Sequence, residues 1–238
     1  MVEKMNAVIL SVYAANLDIR IPEYQKKVME KLNKNYPFKQ VFYPSKNCDA
    51  IIHAQIIDQI LTDDFLFKLE NPEVIMFLDI DCIPLELNAA DNLIKTAYGT
   101  NGENGTFCGN IQRSNHINNN KHVFIAPSCM AISIFHYKMM GKPSAIQTSR
   151  GDVCEEWTYL AEEKNIPTYF YLPNKYDAPV FRQPWEKDKS PSWKLGDNDP
   201  EYGIGTTFNS GFWHMFQSFY PGQTERFINK CEEVLNNG

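Results

Sequence analysis

Two carboxylates, Asp79 and Asp81, stand out in the run VIMFLDIDCIP from Val74 to Pro84. Val74 to Leu78 is unbroken in its apolar character, which predicts a buried strand. Pro84 cannot continue a ladder, so the pair is expected at the carboxyl end of that strand, where open α/β sheets place their ligands. In an extended chain residues i and i+2 share a face, and both side chains can then approach one cation. Hard oxygen ligands suit Mg²⁺ or Mn²⁺, either of which neutralises a phosphate-bearing substrate. The plainer alternative is a pair of turn carboxylates closing a strand. Bulky apolar neighbours weigh against it, because unpaired carboxylates beside a core are costly.

A second acidic stretch is RGDVCEEW, Arg150 to Trp157. Asp152 with Glu155 three residues on reads as a capping-box-like helix start. A carboxylate in that place can instead face a cleft and take a proton from an acceptor hydroxyl, a poor nucleophile at neutral pH. Asp152 is the first candidate for such a base, with Glu155 and Glu156 as alternates. His214 lies within GTTFNSGFWHMFQSF, Gly205 to Phe219. It is either a packed core residue or a neutral imidazole ligand.

The elements that must position these groups follow from periodicity. Ala7 to Ala14 is a first strand, followed by a loop from Asn16 to Pro22. Glu23 to Leu32 is an amphipathic helix, with Tyr24, Val28 and Leu32 on one face. Phe38 to Tyr43 alternates as a second strand, and a helix is expected from about Asp49 to Leu61, ahead of the strand that ends at Asp79. A βαβαβ order calls for a parallel sheet with helices on both faces. Beyond Pro84 the expectations are a helix over Asn88 to Tyr98, a strand over Thr106 to Gln112 and a polar turn over Ser114 to Lys121. An apolar stretch from Val123 to Ile134 is broken by Pro127 and Ser128. Then come a helix over Glu155 to Lys164, a strand over Thr168 to Leu172 and a long functional loop over Asp177 to Tyr202. Phe208 to Phe219 is aromatic and is expected to close over the site, before a last helix from Glu225 to Leu235. The chain therefore reads as one α/β domain, residues 1–238, with a nucleotide-binding half to about 84 and an acceptor half from about 85.

Composition narrows the partners. With 238 residues, 43% hydrophobic and 22% charged, the chain is long enough to bury a core. A net charge of −6 argues against nucleic acid, whose phosphates call for a basic face. No apolar run approaches the roughly 18 residues of a membrane span, and AVILSV is too short for a leader. Six scattered cysteines contain no CxxC or CxxH pair, which excludes the usual zinc spacings and suits reduced thiols of a cytoplasmic protein.

An apolar strand running into Asp-x-Asp after a βαβαβ start resembles the GT-A glycosyltransferases, a Rossmann-like α/β fold with a mostly parallel central sheet. Three further stretches carry the likeness: HAQIIDQIL (His53 to Leu61), FIAPSCMAISIFHY (Phe124 to Tyr137) and RGDVCEEWTYLAEEKNIPTYFY (Arg150 to Tyr171). The resemblance implies that Asp79 and Asp81 hold Mn²⁺ or Mg²⁺ against the diphosphate of a nucleotide-sugar, with His214 completing the metal shell. It places His53 at a donor contact and a catalytic base near Asp152 in an inverting enzyme. The family's usual Glu-Asp pair is not reproduced, which leaves the base open within one turn. The implied donor is a UDP-sugar and the acceptor a glycan or small-molecule hydroxyl. Tyr13, at the end of the first strand, would stack on uracil or pack in the core. Arg182, Lys189 and Lys194 would meet diphosphate or remain solvated, and Trp185 and Trp193 would offer a sugar platform or pack inward.

Two rivals share parts of this pattern. A phosphohydrolase of the haloacid-dehalogenase type also runs a strand into Asp-x-Asp, and Gly151-Asp152 with Glu156 imitates its later acidic signature. Its first aspartate ends the first strand, however, and here two strand–helix units precede Asp79; Ile83 stands where Thr or Val is usual. A sugar nucleotidylyltransferase needs a glycine-rich basic loop where this chain has SVYAANLDIRIP. A non-enzymatic sugar- or nucleotide-binding module would not need the intact acidic pair.

Overall fold

The computed structural model describes residues 5–15, 17–44, 50–114, 122–182, 189–196 and 200–237. The chain begins β1 (Ala7–Ala14), α1 (Arg20–Leu32), β2 (Phe38–Tyr43), α2 (Ala50–Ile60), α3 (Asp63–Lys68) and β3 (Val74–Leu78). It continues β4 (Cys82–Pro84), α4 (Ala89–Tyr98), β5 (Phe107–Arg113), β6 (Val123–Ser133), α5 (Ile134–Met139), α6 (Glu155–Glu163) and β7 (Thr168–Tyr171). It closes with β8 (Pro173–Lys175), β9 (Trp193–Lys194), β10 (Glu201–Tyr202), β11 (Thr206–Phe208), β12 (Phe212–His214) and α7 (Gln223–Asn236).

Six strands form the main sheet in the order β2-β1-β3-β6-β5-β7. β1 pairs in parallel with β2 and β3, and β5 with β7, while β6 runs antiparallel to both β3 and β5. The sheet is thus mostly parallel, with β6 alone reversed. Its strands alternate between two packed faces. Val8, Leu10, Ile75 and Phe77 meet Ile57 and Ile60 of α2 and Trp157 of α6. Ala7, Ile9, Val74, Met76 and Leu78 meet Leu93, Ile94 and Ala97 of α4 and Met29 of α1. Every residue of β3 is buried, as strands covered on both sides require. The α/β architecture with helices on both faces is therefore as the periodicity predicts.

Several local expectations are corrected. α1 starts at Arg20 rather than Glu23, because Pro22 falls in the first turn, where its missing N–H costs nothing. α3 was not expected; Thr62 caps it, its Oγ1 accepting the Phe65 N–H at 3.4 Å. Pro127 does not break β6. The β5–β6 register shifts between Gly109 and Ile111, and such an irregularity tolerates a residue without an N–H. Nor does Pro84 end pairing: β4 lies opposite β12, with Phe212 across from Pro84.

That pairing belongs to a second sheet, β4-β12-β11-β8, antiparallel throughout. It absorbs the aromatic stretch expected to cover the site. β9 and β10 pair with each other inside the stretch read as a loop. α7 packs on α1 through Val28, Leu32, Phe227, Cys231 and Val234, around Trp213 of β12. Cys82, Cys108, Cys129, Cys154 and Cys231 are free and buried, and Cys48 lies outside the described residues. Among the described residues no helix is long and apolar enough to cross a membrane.

Candidate metal centre

β3 ends at Leu78, and the chain turns at once. The Cys82 N–H donates to the Asp79 carbonyl at 2.9 Å, closing a four-residue turn whose first and third residues are Asp79 and Asp81. The two carboxylates are therefore brought together by a turn and not by the strand pleat assumed from sequence. Asp79 is tied to β6 by its N–H, which donates to the Ser128 carbonyl at 2.9 Å. β4 then carries the chain antiparallel to β12, with Cys82 opposite His214. The Met215 N–H donates to the Asp81 carbonyl at 2.9 Å. This ladder delivers a histidine from 133 residues further along the chain (from Asp81 to His214) to the side of the turn.

The three side chains converge. His214 Nε2 lies 3.2 Å from Asp81 Oδ1 and 3.7 Å from Asp79 Oδ2, and one ligand atom from each falls within 4.8 Å of the others. His214 and Asp81 are nearly buried, and Asp79 keeps a quarter of its side chain exposed, at 25%. His53 of α2 approaches from the other side, its Nε2 3.4 Å from Asp79 Oδ1. Burial raises the Asp79 carboxyl above its ordinary range; the imidazoles of His53 and His214 oppose the rise and Asp81 adds to it. Burial by itself would lower His214, but the carboxylates of Asp81 and Asp79 outweigh it and the net direction is upward. Phe216 meets the His214 ring edge-on at 4.0 Å. His214 Nδ1 and Ser128 Oγ are buried with no hydrogen-bond partner among the described residues.

Two carboxylates and an imidazole form a donor set suited to a hard divalent ion. Metal–oxygen bonds of about 2.1 Å put neighbouring ligands of an octahedral shell about 3 Å apart and opposite ones about 4.2 Å apart. The separations of 3.2 and 3.7 Å fall in that range. The residues fit Mg²⁺ or Mn²⁺.

The second acidic stretch is arranged differently. Glu155 is fully buried. Its Oε2 accepts the Asp152 N–H at 2.7 Å, and its Oε1 lies 2.7 Å from His122 Nδ1; His122 stacks on Tyr159 at 3.6 Å. Glu155 thus makes the backward bond of a capping box, but Asp152 is not the cap: Cys154 is the N-cap of α6, and no side chain caps the helix. Glu156 pairs with Arg150 at 2.5 and 3.0 Å, and that bond holds its carboxyl below the ordinary range. Asp152 Oδ1 accepts the Val153 N–H at 2.7 Å.

Tyr13 stands opposite Phe42 at the carboxyl ends of β1 and β2, rings 5.3 Å apart and tilted by 53°. Arg182 donates to the carbonyls of Ser190 and Ser192 and lies over Trp193, and Lys194 pairs with Glu201 at 3.3 Å. Trp185 falls outside the described residues. Sequence reasoning missed Ser128, His122, Phe42, Phe216 and, on α1, Gln25. Only Gln25 left a signal, a polar residue at helical spacing within the buried stripe of Ile21, Val28, Met29 and Leu32.

No protein-family model matches the chain, and no curated protein matches it. Among solved structures, one with a matching portion is a glycosyltransferase involved in the glycosylation of the major capsid of PBCV-1. The likeness has a TM-score of 0.37 and 13% identity over 56% of this chain, and spans 62% of that chain's length. The strand order and the site rest on the chain's own geometry.

Proposed function

We propose that the chain is a metal-dependent glycosyltransferase of the GT-A type, which moves a sugar from a nucleotide-sugar, with UDP as the expected nucleotide, to a hydroxyl of a glycan or small acceptor. The observation that carries this reading is the convergence of Asp79, Asp81 and His214 at the carboxyl end of a parallel strand, where α/β sheets bind ligands. Asp79, Asp81 and His214 would hold Mn²⁺ or Mg²⁺, which when bound neutralises the charge of a departing nucleoside diphosphate. His53 keeps Asp79 oriented through its 3.4 Å contact. Tyr13 and Phe42 offer aromatic faces to a nucleobase.

Asp152 is the base of choice for an inverting transfer. Glu155 is fully enclosed and Glu156 is held by Arg150, while Asp152, at 9% exposure, stands just ahead of α6 with its Oδ1 accepting the Val153 N–H. In that role Asp152 accepts the proton of the acceptor hydroxyl as its oxygen attacks the anomeric carbon.

Calorimetry of UDP binding with and without Mn²⁺, followed by a donor-hydrolysis screen over nucleotide-sugars, tests the reading. Mn²⁺-dependent UDP affinity and hydrolysis of one donor are the expected results. Hydrolysis of a simple aryl phosphate would instead indicate a phosphohydrolase, and metal-independent binding without turnover a sugar- or nucleotide-binding module.

A further inference from the structure

Gln25 occupies a place on α1 where an apolar residue would be ordinary, and it is wholly buried. A buried carboxamide is tolerated when it is hydrogen-bonded. Its Nε2 donates to the Asp79 carbonyl at 2.7 Å and to the Cys82 carbonyl at 3.0 Å. Its Oε1 accepts from Gln40 Nε2 at 3.1 Å, and Gln40 Nε2 also donates to the Pro22 carbonyl at 2.8 Å. Two carbonyl acceptors on one side and an N–H donor on the other admit a single amide orientation.

Asp79 and Cys82 are the two ends of the turn that presents the carboxylates, already joined by the Cys82 N–H to Asp79 carbonyl bond. Gln25 bridges the same two ends from α1, and the Met215 N–H holds the Asp81 carbonyl between them. Gln40 lies on β2, separated from β3 by β1, and anchors the bridge from a distance.

We infer that Gln25 is a positioning residue for the Asp79–Asp81–His214 centre, with Gln40 as its anchor. It acts through the turn backbone, holding the two carboxylates at their separation before a cation arrives. A turn free to open would have to be closed on each binding event, and that ordering cost would appear as lost affinity. The inference rests on the proposed divalent-cation centre.

The test is titration of Mn²⁺ alone into the full chain, followed by electron paramagnetic resonance, with urea unfolding measured in parallel. Gln25→Leu is expected to weaken Mn²⁺ binding about 10- to 100-fold, the usual effect of removing a group that orients a ligand, and to change the line shape of the bound ion. Gln40→Val, which leaves Gln25 and the turn intact, is expected to lose affinity in the same direction by less than about tenfold. A wild-type chain that takes up no Mn²⁺ overturns the cation centre, and the bracing role with it. Wild-type uptake matched by both variants, with an unchanged line shape, overturns the bracing role alone. Should Gln25→Leu not fold, Gln25→Met, which keeps the length of the side chain without the amide, decides the bracing role, and undiminished Mn²⁺ affinity there overturns it; undiminished affinity in Gln40→Val overturns the anchor.

Discussion

The turn from Asp79 to Cys82 and the helix start from Asp152 to Glu156 both crowd carboxylates together, but they treat the charge in opposite ways. At the helix start each carboxylate meets a donor. Glu155 receives a backbone N–H and His122, Glu156 receives Arg150, and Asp152 receives the Val153 N–H. At the turn, backbone N–H groups bind carbonyls and the side chains face one another, with the imidazoles of His53 and His214 3.2–3.7 Å away. Donors stabilise a carboxylate where it stands. Burial without such donors raises it, as at Asp79. The first arrangement orders the turn ahead of α6, and the second gathers two carboxylates and an imidazole whose ligand atoms lie within 4.8 Å of one another.

The largest expected effect tests the turn. Asp81→Asn should abolish the Mn²⁺ dependence of UDP binding in calorimetry while leaving the unfolding free energy within about 1 kcal/mol of wild type. Full metal dependence in that variant would make the two clusters alike. Next comes Asp152→Asn, which keeps an oxygen to accept the Val153 N–H but cannot take a proton at neutral pH. Transfer is expected to slow about 10²–10⁴-fold, with donor and metal affinity unchanged; normal turnover would return Asp152 to a purely structural role.

Glu155→Ala should act on stability instead. It strands the Asp152 N–H and His122 in a buried place, at a cost of about 3 kcal/mol in urea unfolding, and metal affinity in the folded fraction should not move. The smallest effect belongs to Glu156→Gln. Its pair with Arg150 is 44% exposed on the arginine side, so at most about 1 kcal/mol is at stake near neutral pH. Because the folded carboxyl lies below the ordinary value of 4.5, that contribution is present above 4.5 and is lost as pH falls through the lower folded value. The stability difference between wild type and Glu156→Gln, measured from pH 6 to 3, should shrink in that direction; a difference that grows on acidification would contradict the pairing.

Much of this contrast was already legible in the chain, because it depends on near neighbours. The five apolar residues before Asp79 declare a strand covered on both faces, and Asp152 with Glu155 declares a helix start, since both patterns are repeated within a few residues. The α/β alternation over the first 80 or so residues follows from the same local periods. Three things required the fold. Asp79 and Asp81 meet through a turn closed by the Cys82 N–H, a hydrogen bond that spacing alone does not distinguish from a continuing strand. His214 reaches them because β12 pairs with β4, and no local pattern encodes a ladder between residues so distant in sequence. Gln25 and Gln40 are a helix glutamine and a strand glutamine until packing sets them one behind the other. The proposed chemistry is thus suggested by side chains near one another in sequence, while the geometry of the site was decided by tertiary packing, because only packing specifies which backbone groups a buried side chain must satisfy.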